Sequence, residues 1–246
     1  MNGTHIVNKL NELENRNYNI GSKISQTIHN MHPNDVRFIV FYNFAQLIRS
    51  IKIYFILKEE YLKERQWYIE IYLQKWGQSW PVTAGRLGTI LSDHTILNSD
   101  FDQVMLIAYT QILFSIIDSR FRLFTTAIDA TACNEGTEKF YKIHDWLLKR
   151  LNKKGQYENF LKFFALIRNT VHHNGRYMNK RYPKPPPISY KQRTYTFEHK
   201  KVVEYEGGAF QLLLFEITPD LISMLEDIIS SDVILKGPSI PDPMGR

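Results

Sequence analysis

The chain of 246 residues has a single cysteine, Cys133. One cysteine excludes an internal disulfide and a cysteine-rich zinc site, and it is the usage expected of a reducing, cytoplasmic compartment. With 12 Gly and 10 Pro, the composition excludes a collagen-like or low-complexity chain. Long uninterrupted apolar runs are missing too. The nearest, Met105 to Ile117, is broken by Thr110, Gln111 and Ser115. It falls short of the roughly 18 residues a membrane span needs, so a buried core helix and no membrane partner are expected. Met1 to Leu10 lacks the basic-then-apolar layout of a signal peptide. There is no P-loop, dinucleotide fingerprint, nucleophile elbow or His-Glu-x-x-His pair, so neither a metal nor a cofactor is expected. What is present is ordinary for a globular chain: 43% hydrophobic and 23% charged residues, enough for one large domain or two small ones.

The net charge of +6 is unevenly spread. Residues 149–201 hold fourteen Lys or Arg against two acids, Glu158 and Glu198, and the rest of the chain is acidic by six. A concentrated positive segment on a mildly acidic body favours polyanions.

Periodicity predicts a mainly α protein, a helical bundle with a small β-hairpin inserted before the last helix. Residues 1–98 read as an N-terminal helical region packing on the bundle. Within it Thr4 caps a helix over His5 to Glu14, a second follows Gly21, and Asn34-Asp35 opens a strong one. Val36, Ile39, Val40, Phe44, Leu47, Ile48 and Ile51 recur there at helical spacing, with continuation to about Gly77. Residues 99–232 read as the bundle. One helix runs from Ser99-Asp100 to about Ala132, and a second, capped by Thr137-Glu138, from Phe140 to Leu151. A third runs from Glu158 to Asn174, with Gly175 as a left-handed stop. Thr194–Phe197 and Val202–Tyr205 read as the two strands of the hairpin, within a basic loop-and-hairpin region 176–210. Thr218-Pro219 reads as the N-cap and N1 of a last helix. Residues 233–246, with Pro238, Pro241 and Pro243, read as a loose tail. Cys133 is expected to be a buried, inert thiol. Trp67, Trp76 and Trp80 are expected to form core or dimer surface, and Asp93-His94 a loop pair.

The third bundle helix ends Ile167-Arg168-Asn169-Thr170-Val171-His172-His173-Asn174-Gly175. Here the chain resembles the HEPN superfamily, helical-bundle proteins that often carry Arg, four to six residues and His near the end of a late helix. Arg168 and His173 match with four residues between, and Asn169 occupies the polar position after the Arg. The resemblance covers about residues 100–232. Two histidines compete for the role: family spacing favours His173, while helix geometry favours His172, because residues four apart share a face. Some members carry a Tyr two residues after the His, but position 175 here is Gly and the nearest tyrosine is Tyr177. That departure argues against the toxin pairing in which the tyrosine is modified.

The resemblance implies a metal-independent endoribonuclease of antiviral defence or stress that leaves a 2′,3′-cyclic phosphate at a site shared across a homodimer. Arg168 would hold the phosphate, His173 or His172 would act as general acid/base, and Asn169 would orient the phosphate or an imidazole. The residue types suit this. Histidine titrates near neutrality, and arginine offers a fixed fork of donors and stays charged. Arg176, Lys180, Arg181, Lys184, Lys191 and Arg193 interleave with Tyr177, Tyr182, Tyr190 and Tyr195. This is a pattern for holding phosphates and stacking unpaired bases. RNA is therefore the expected partner, with Arg176, Tyr177, Lys180, Arg181, Lys184, Lys191 and Arg193 as contacts. For Tyr195 and Phe197, packing on the bundle is the simpler expectation. The alternative is a catalytically silent HEPN-like module that binds RNA, a nucleotide or a partner protein.

Overall fold

A computed structural model describes residues 3–28, 32–64, 94–132 and 139–243. The protein is mainly helical, with one two-stranded antiparallel hairpin before the last helices. In chain order the elements are α1 (Gly3–Thr27), α2 (Val36–Lys63), α3 (His94–Ile128), α4 (Phe140–Arg150), α5 (Lys154–His172), β1 (Ile188–Tyr190) and β2 (Arg193–Tyr195). A helix follows that is α-helical over Ala209–Leu212 (α6), π-helical over Leu213–Ile217 and α-helical again over Thr218–Ile229 (α7), and α8 is Asp232–Leu235. The expected sites at Trp67, Trp76, Trp80, Asp93, Cys133 and Thr137-Glu138 lie outside the described residues, as does any continuation of α2 towards Gly77.

One continuous core joins all the longer helices. α3 contributes Tyr109, Leu113, Ile117, Phe121 and Phe124 at near-regular fourfold spacing, and α5 contributes Leu161, Phe164, Ile167 and Val171. The N-terminal region belongs to the same core through Leu10, Leu13, Ile20 and Ile24 of α1 and Val40, Phe44, Ile48 and Ile51 of α2. α1 is one helix rather than the two expected. Gly21 lies inside it, where a Cβ would sit 3.4–3.6 Å from Phe38, Phe41 and Tyr42 of α2. The missing side chain lets the two backbones approach, which offsets the roughly 1 kcal/mol glycine costs within a helix. Buried Glu14 pins the same pair, binding Arg49 at 2.8 Å and Lys52 at 2.6 Å.

α2 and α3 are long and apolar enough, by length and composition, to cross a membrane. For α3 this departs from the sequence expectation, because the helix continues on both sides of the 105–117 run. Here each gives one side to the core. Several of the charges they carry are paired: Lys52 with Glu14, Lys58 with Asp102 at 2.6 Å, and Arg120 with Asp242 at 2.7 Å.

Three further expectations are corrected. The hairpin pairs Ile188 with Tyr195 and Tyr190 with Arg193, not the strands predicted at 194–197 and 202–205. Its turn residues, Lys191 and Gln192, both have positive φ, 46° and 64°. That is the mirror-image turn geometry, here without the Asn-Gly signature that would betray it in sequence. Tyr190 and Tyr195 turn inward onto Phe163 of α5, with ring centroids 5.0 and 4.6 Å away. Thr218 is not an N-cap, because the backbone before it is already helical. Pro219 has no N–H and its ring crowds the preceding turn, and a π segment stands directly before it. The Thr218 hydroxyl donates to Leu213 O at 2.7 Å.

The tail is not loose as far as Pro243. Ile234, Ile240 and Asp242 are buried. The strap is held by an ion pair at the start of α2. Arg37 donates from Nε to Asp35 Oδ1 (2.8 Å) and from Nη2 to Oδ2 (2.6 Å). Its Nη1 reaches the carbonyls of Ile234, Leu235 and Gly237 at 3.0–3.2 Å, satisfying the open end of α8. Asp35 Oδ2 also accepts from Ser239 Oγ and from the Ile240 N–H. Burial alone would raise the Asp35 carboxyl, but the bonds from Arg37, Ile240 and Ser239 outweigh it and hold it below the ordinary value. Removing one member of a buried pair strands the other. Asp35→Ala is therefore expected to lower the unfolding free energy by about 3–5 kcal/mol. Urea titration checks this; a loss below about 1 kcal/mol would mean that the clamp contributes little.

His144 of α4 is buried, 3% exposed, against Phe140, with ring centroids 5.0 Å apart. Burial disfavours its charged form and lowers its pKa to about 4, although Asp145 and Glu158 pull the other way and Lys162 and Lys154 add to the depression. Between the ordinary 6.5 and about 4, the unfolded chain takes up a proton that the folded protein does not. Stability therefore falls as pH falls through that window, by at most about 1.4 kcal/mol per unit. In urea midpoints at pH 7, 6 and 5, His144→Gln should show a shallower acid-side decline than the wild type. Parallel profiles would contradict this assignment.

Candidate functional site

α3 and α5 run antiparallel. Along their seam Gln103 meets Asn174, Gln111 meets His172, and Phe114 meets both Arg168 and Phe164. The candidate residues lie at the open end of this seam, where α5 stops. His172 is its last helical residue, and His173 at the C-cap has left the helix, with φ −112° and ψ 38°. Asn174 and Gly175 follow with φ of 53° and 79°, so the predicted stop at Gly175 is observed one residue after the chain has already turned left-handed.

Arg168 is half-buried. Its guanidinium lies over the Phe114 ring, 4.7 Å from the centroid. Its Nε is buried without a hydrogen-bond partner, and no carboxylate among the described residues pairs with it. Stacking occupies one face of the guanidinium and Nε is buried, so a contact to phosphate would have to come from the Nη donors.

His172 and His173 are both exposed. Neighbours in a continuous helix diverge, but because His173 sits at the cap the two rings meet edge-to-face, with centroids 5.1 Å apart. The Gln111 amide lies 3.0 Å from His172 Nδ1. With Gln111 donating, neutral His172 carries its proton on the outward Nε2. Turned over, the same amide accepts from Nδ1–H of the charged ring, so it can serve both protonation states. Arg168 and His172 thus face one stripe of α3, as helix geometry predicts, and His173 joins His172 rather than Arg168. Among the described residues no group of three His, Cys, Asp or Glu is placed to hold a metal.

Asn169 has a different task from the one expected. Its Oδ1 accepts from the Met178 N–H at 3.1 Å, tying the loop to the helix. The base of that loop is stitched further: Tyr177 N–H to Lys201 O, Lys200 N–H to Tyr177 O, and Val203 N–H to Gly175 O.

No match to this chain is found among protein-family models, curated proteins or solved structures. The reading therefore rests on geometry.

The expected RNA contacts divide. Lys180, Arg181 and Lys184 are exposed. Arg176 is exposed too and donates to Lys200 O at 3.1 Å, so it braces the loop while remaining at the surface. Lys191 faces Asp220 at 3.2 Å. Arg193 pairs with Glu206 and Glu216, both at 2.9 Å, so the hairpin cations are largely spent on internal acids. Tyr177 is buried at 1% exposure, its hydroxyl donating to Tyr182 O, and cannot stack on a base. Tyr190 and Tyr195 are likewise buried and Phe197 lies in the core, while Tyr182 is 64% exposed. Interleaved cations and aromatics in sequence could not distinguish these, because a hairpin docked by its aromatics shows the same pattern.

Sequence reasoning missed Gln111 and Phe114. They lie more than fifty residues from the motif, and only the α3–α5 register brings them to it.

Proposed function

We propose that the protein is a HEPN-like, metal-independent endoribonuclease whose reactive groups are Arg168, His172 and His173. The observation that carries this reading lies at one helix end: a half-buried guanidinium with no carboxylate partner among the described residues, and two touching, exposed imidazoles. The loop that follows in sequence carries the exposed cations Lys180, Arg181 and Lys184. Had the motif been structural, Arg168 would pair with an acid and the histidines would cap carbonyls.

In the proposed step one imidazole takes the proton of a 2′-hydroxyl and the 2′-oxygen attacks phosphorus. The bond to the 5′-oxygen breaks, and a second imidazole protonates that leaving oxygen. The products are a 2′,3′-cyclic phosphate and a 5′-hydroxyl. Arg168 stabilises the charge gathering on the non-bridging oxygens. Asn169 acts as a positioning residue. A homodimer accords with the solvent side of α3, where Phe101, Val104 and Ile112 are 54%, 62% and 48% exposed beside the site.

Cleavage of single-stranded RNA is expected to survive EDTA. Arg168→Ala and His172→Ala should each lower it by about 100-fold or more in folded protein, with a comparable loss in His173→Ala. Salt-sensitive binding without any cleavage would favour the silent binding module, and undiminished cleavage by all three variants would overturn the assignment.

A further inference from the structure

Beside the two histidines the surface opens into a cleft of about 280 Å³. It begins at Val171 and Asn174, the residues flanking the histidines, and is walled by Leu106, Val203 and Tyr205, with Gln103 at its rim. It runs on into a second cavity of about 460 Å³ that shares Gln103, Leu106, Gly208 and Ala209 and extends to Lys58 and Phe210. The groove thus starts at the residues next to the histidines in sequence, while Arg168, His172 and His173 do not themselves line it.

The chemistry of the first cavity is selective. Its walls are aliphatic apart from Tyr205, whose hydroxyl is turned away to Thr170. At the rim stand two amides, Gln103 and Asn174, which meet only at 3.5 Å, the outer limit of a hydrogen bond, so both keep donors and acceptors for a ligand. Among the described residues no carboxylate lines it. Asp102, in the second cavity, is neutralised by Lys58. At Gly208 the wall is bare: a Cβ there would meet nothing within 4 Å.

An uncharged apolar slot edged by amides matches the faces and edge of a nucleobase rather than a phosphate or a sugar. Side-chain amides read base edges through paired donor and acceptor contacts, and unpaired bases are the ones free to enter such a slot. We propose that this cleft is a base-recognition subsite, which takes the unpaired base next to the scissile phosphate and sets sequence preference through Gln103 and Asn174. The proposal rests on the ribonuclease reading for its substrate, but its residues are distinct from the reacting ones.

The test uses short single-stranded RNAs that differ only in the nucleotides flanking the mapped cut. Wild-type protein should discriminate among them. Gln103→Leu retains bulk and removes the amide, and Asn174→Gly removes the amide while keeping the positive φ of 53° accessible. Each variant should narrow the spread of kcat/KM across the bases by about tenfold. Full retention of base preference in both variants would overturn the proposal. If the wild type cuts nothing, the same RNAs are measured by equilibrium binding. Preference that disappears in the variants would uphold the subsite while the catalytic reading fails, and base-indifferent binding by wild type would refute the subsite.

Discussion

The Phe114 ring is the contact on which this arrangement turns. It lies 4.8 Å from Phe140 of α4 and 5.7 Å from Phe164 of α5, centroid to centroid, and carries the Arg168 guanidinium at 4.7 Å. Aromatic contacts of this kind contribute about 0.5–1.5 kcal/mol each beyond area burial, and the cation–π contact about 0.5–2 kcal/mol. One side chain therefore ties three helices together and fixes the direction of the arginine. The next turn of α3 supplies Gln111 to His172, and the same register brings Gln103 to Asn174. If α3 slipped by one turn along α5, Arg168, His172 and the cleft would all lose their partners.

A second constraint acts at the far end of the chain. Asp35 and Arg37 form a buried pair that accepts from or donates to six groups of the segment Ile234–Ile240 and of α2 itself. A buried pair adds little net stability over apolar residues of the same volume, because desolvation offsets the attraction. What it fixes here is which segment closes the start of α2.

Apolar periodicity exposed the helices wherever it ran unbroken. The core faces of α2 and α5, the helix start at Asp35, the end of α5 and the burial of Tyr195 and Phe197 were legible; the core face of α3 was not, because Phe101, Val104 and Ile112, apolar at helical spacing, lie on its exposed side while Tyr109, Leu113, Ile117 and Phe121 are buried. The misreadings share a cause: local signals overridden by long-range contacts. Gly21 resembles a breaker until α2 is seen against it, and Thr218-Pro219 resembles a helix start until the π segment is seen to precede Pro219. The proline-rich tail resembles a loose end because nothing near it in sequence reveals the Asp35–Arg37 clamp. At the candidate site the same distinction holds. Arg168, His172 and His173 were visible as a motif, but the meeting of the two rings depends on the chain leaving the helix at His173. The separation of exposed Lys180, Arg181 and Lys184 from internally paired Lys191 and Arg193 depends on Asp220, Glu206 and Glu216.

The proposed reaction uses the 2′-hydroxyl as nucleophile without a metal. The most direct measurement follows one RNA, mapped for its cut and treated in EDTA, beside the same strand with a single 2′-deoxy substitution 5′ to the scissile phosphate. The account predicts a terminal 2′,3′-cyclic phosphate from the first strand and no cut at that position in the second. Equal cleavage of both strands, or a 5′-phosphate product, would contradict it.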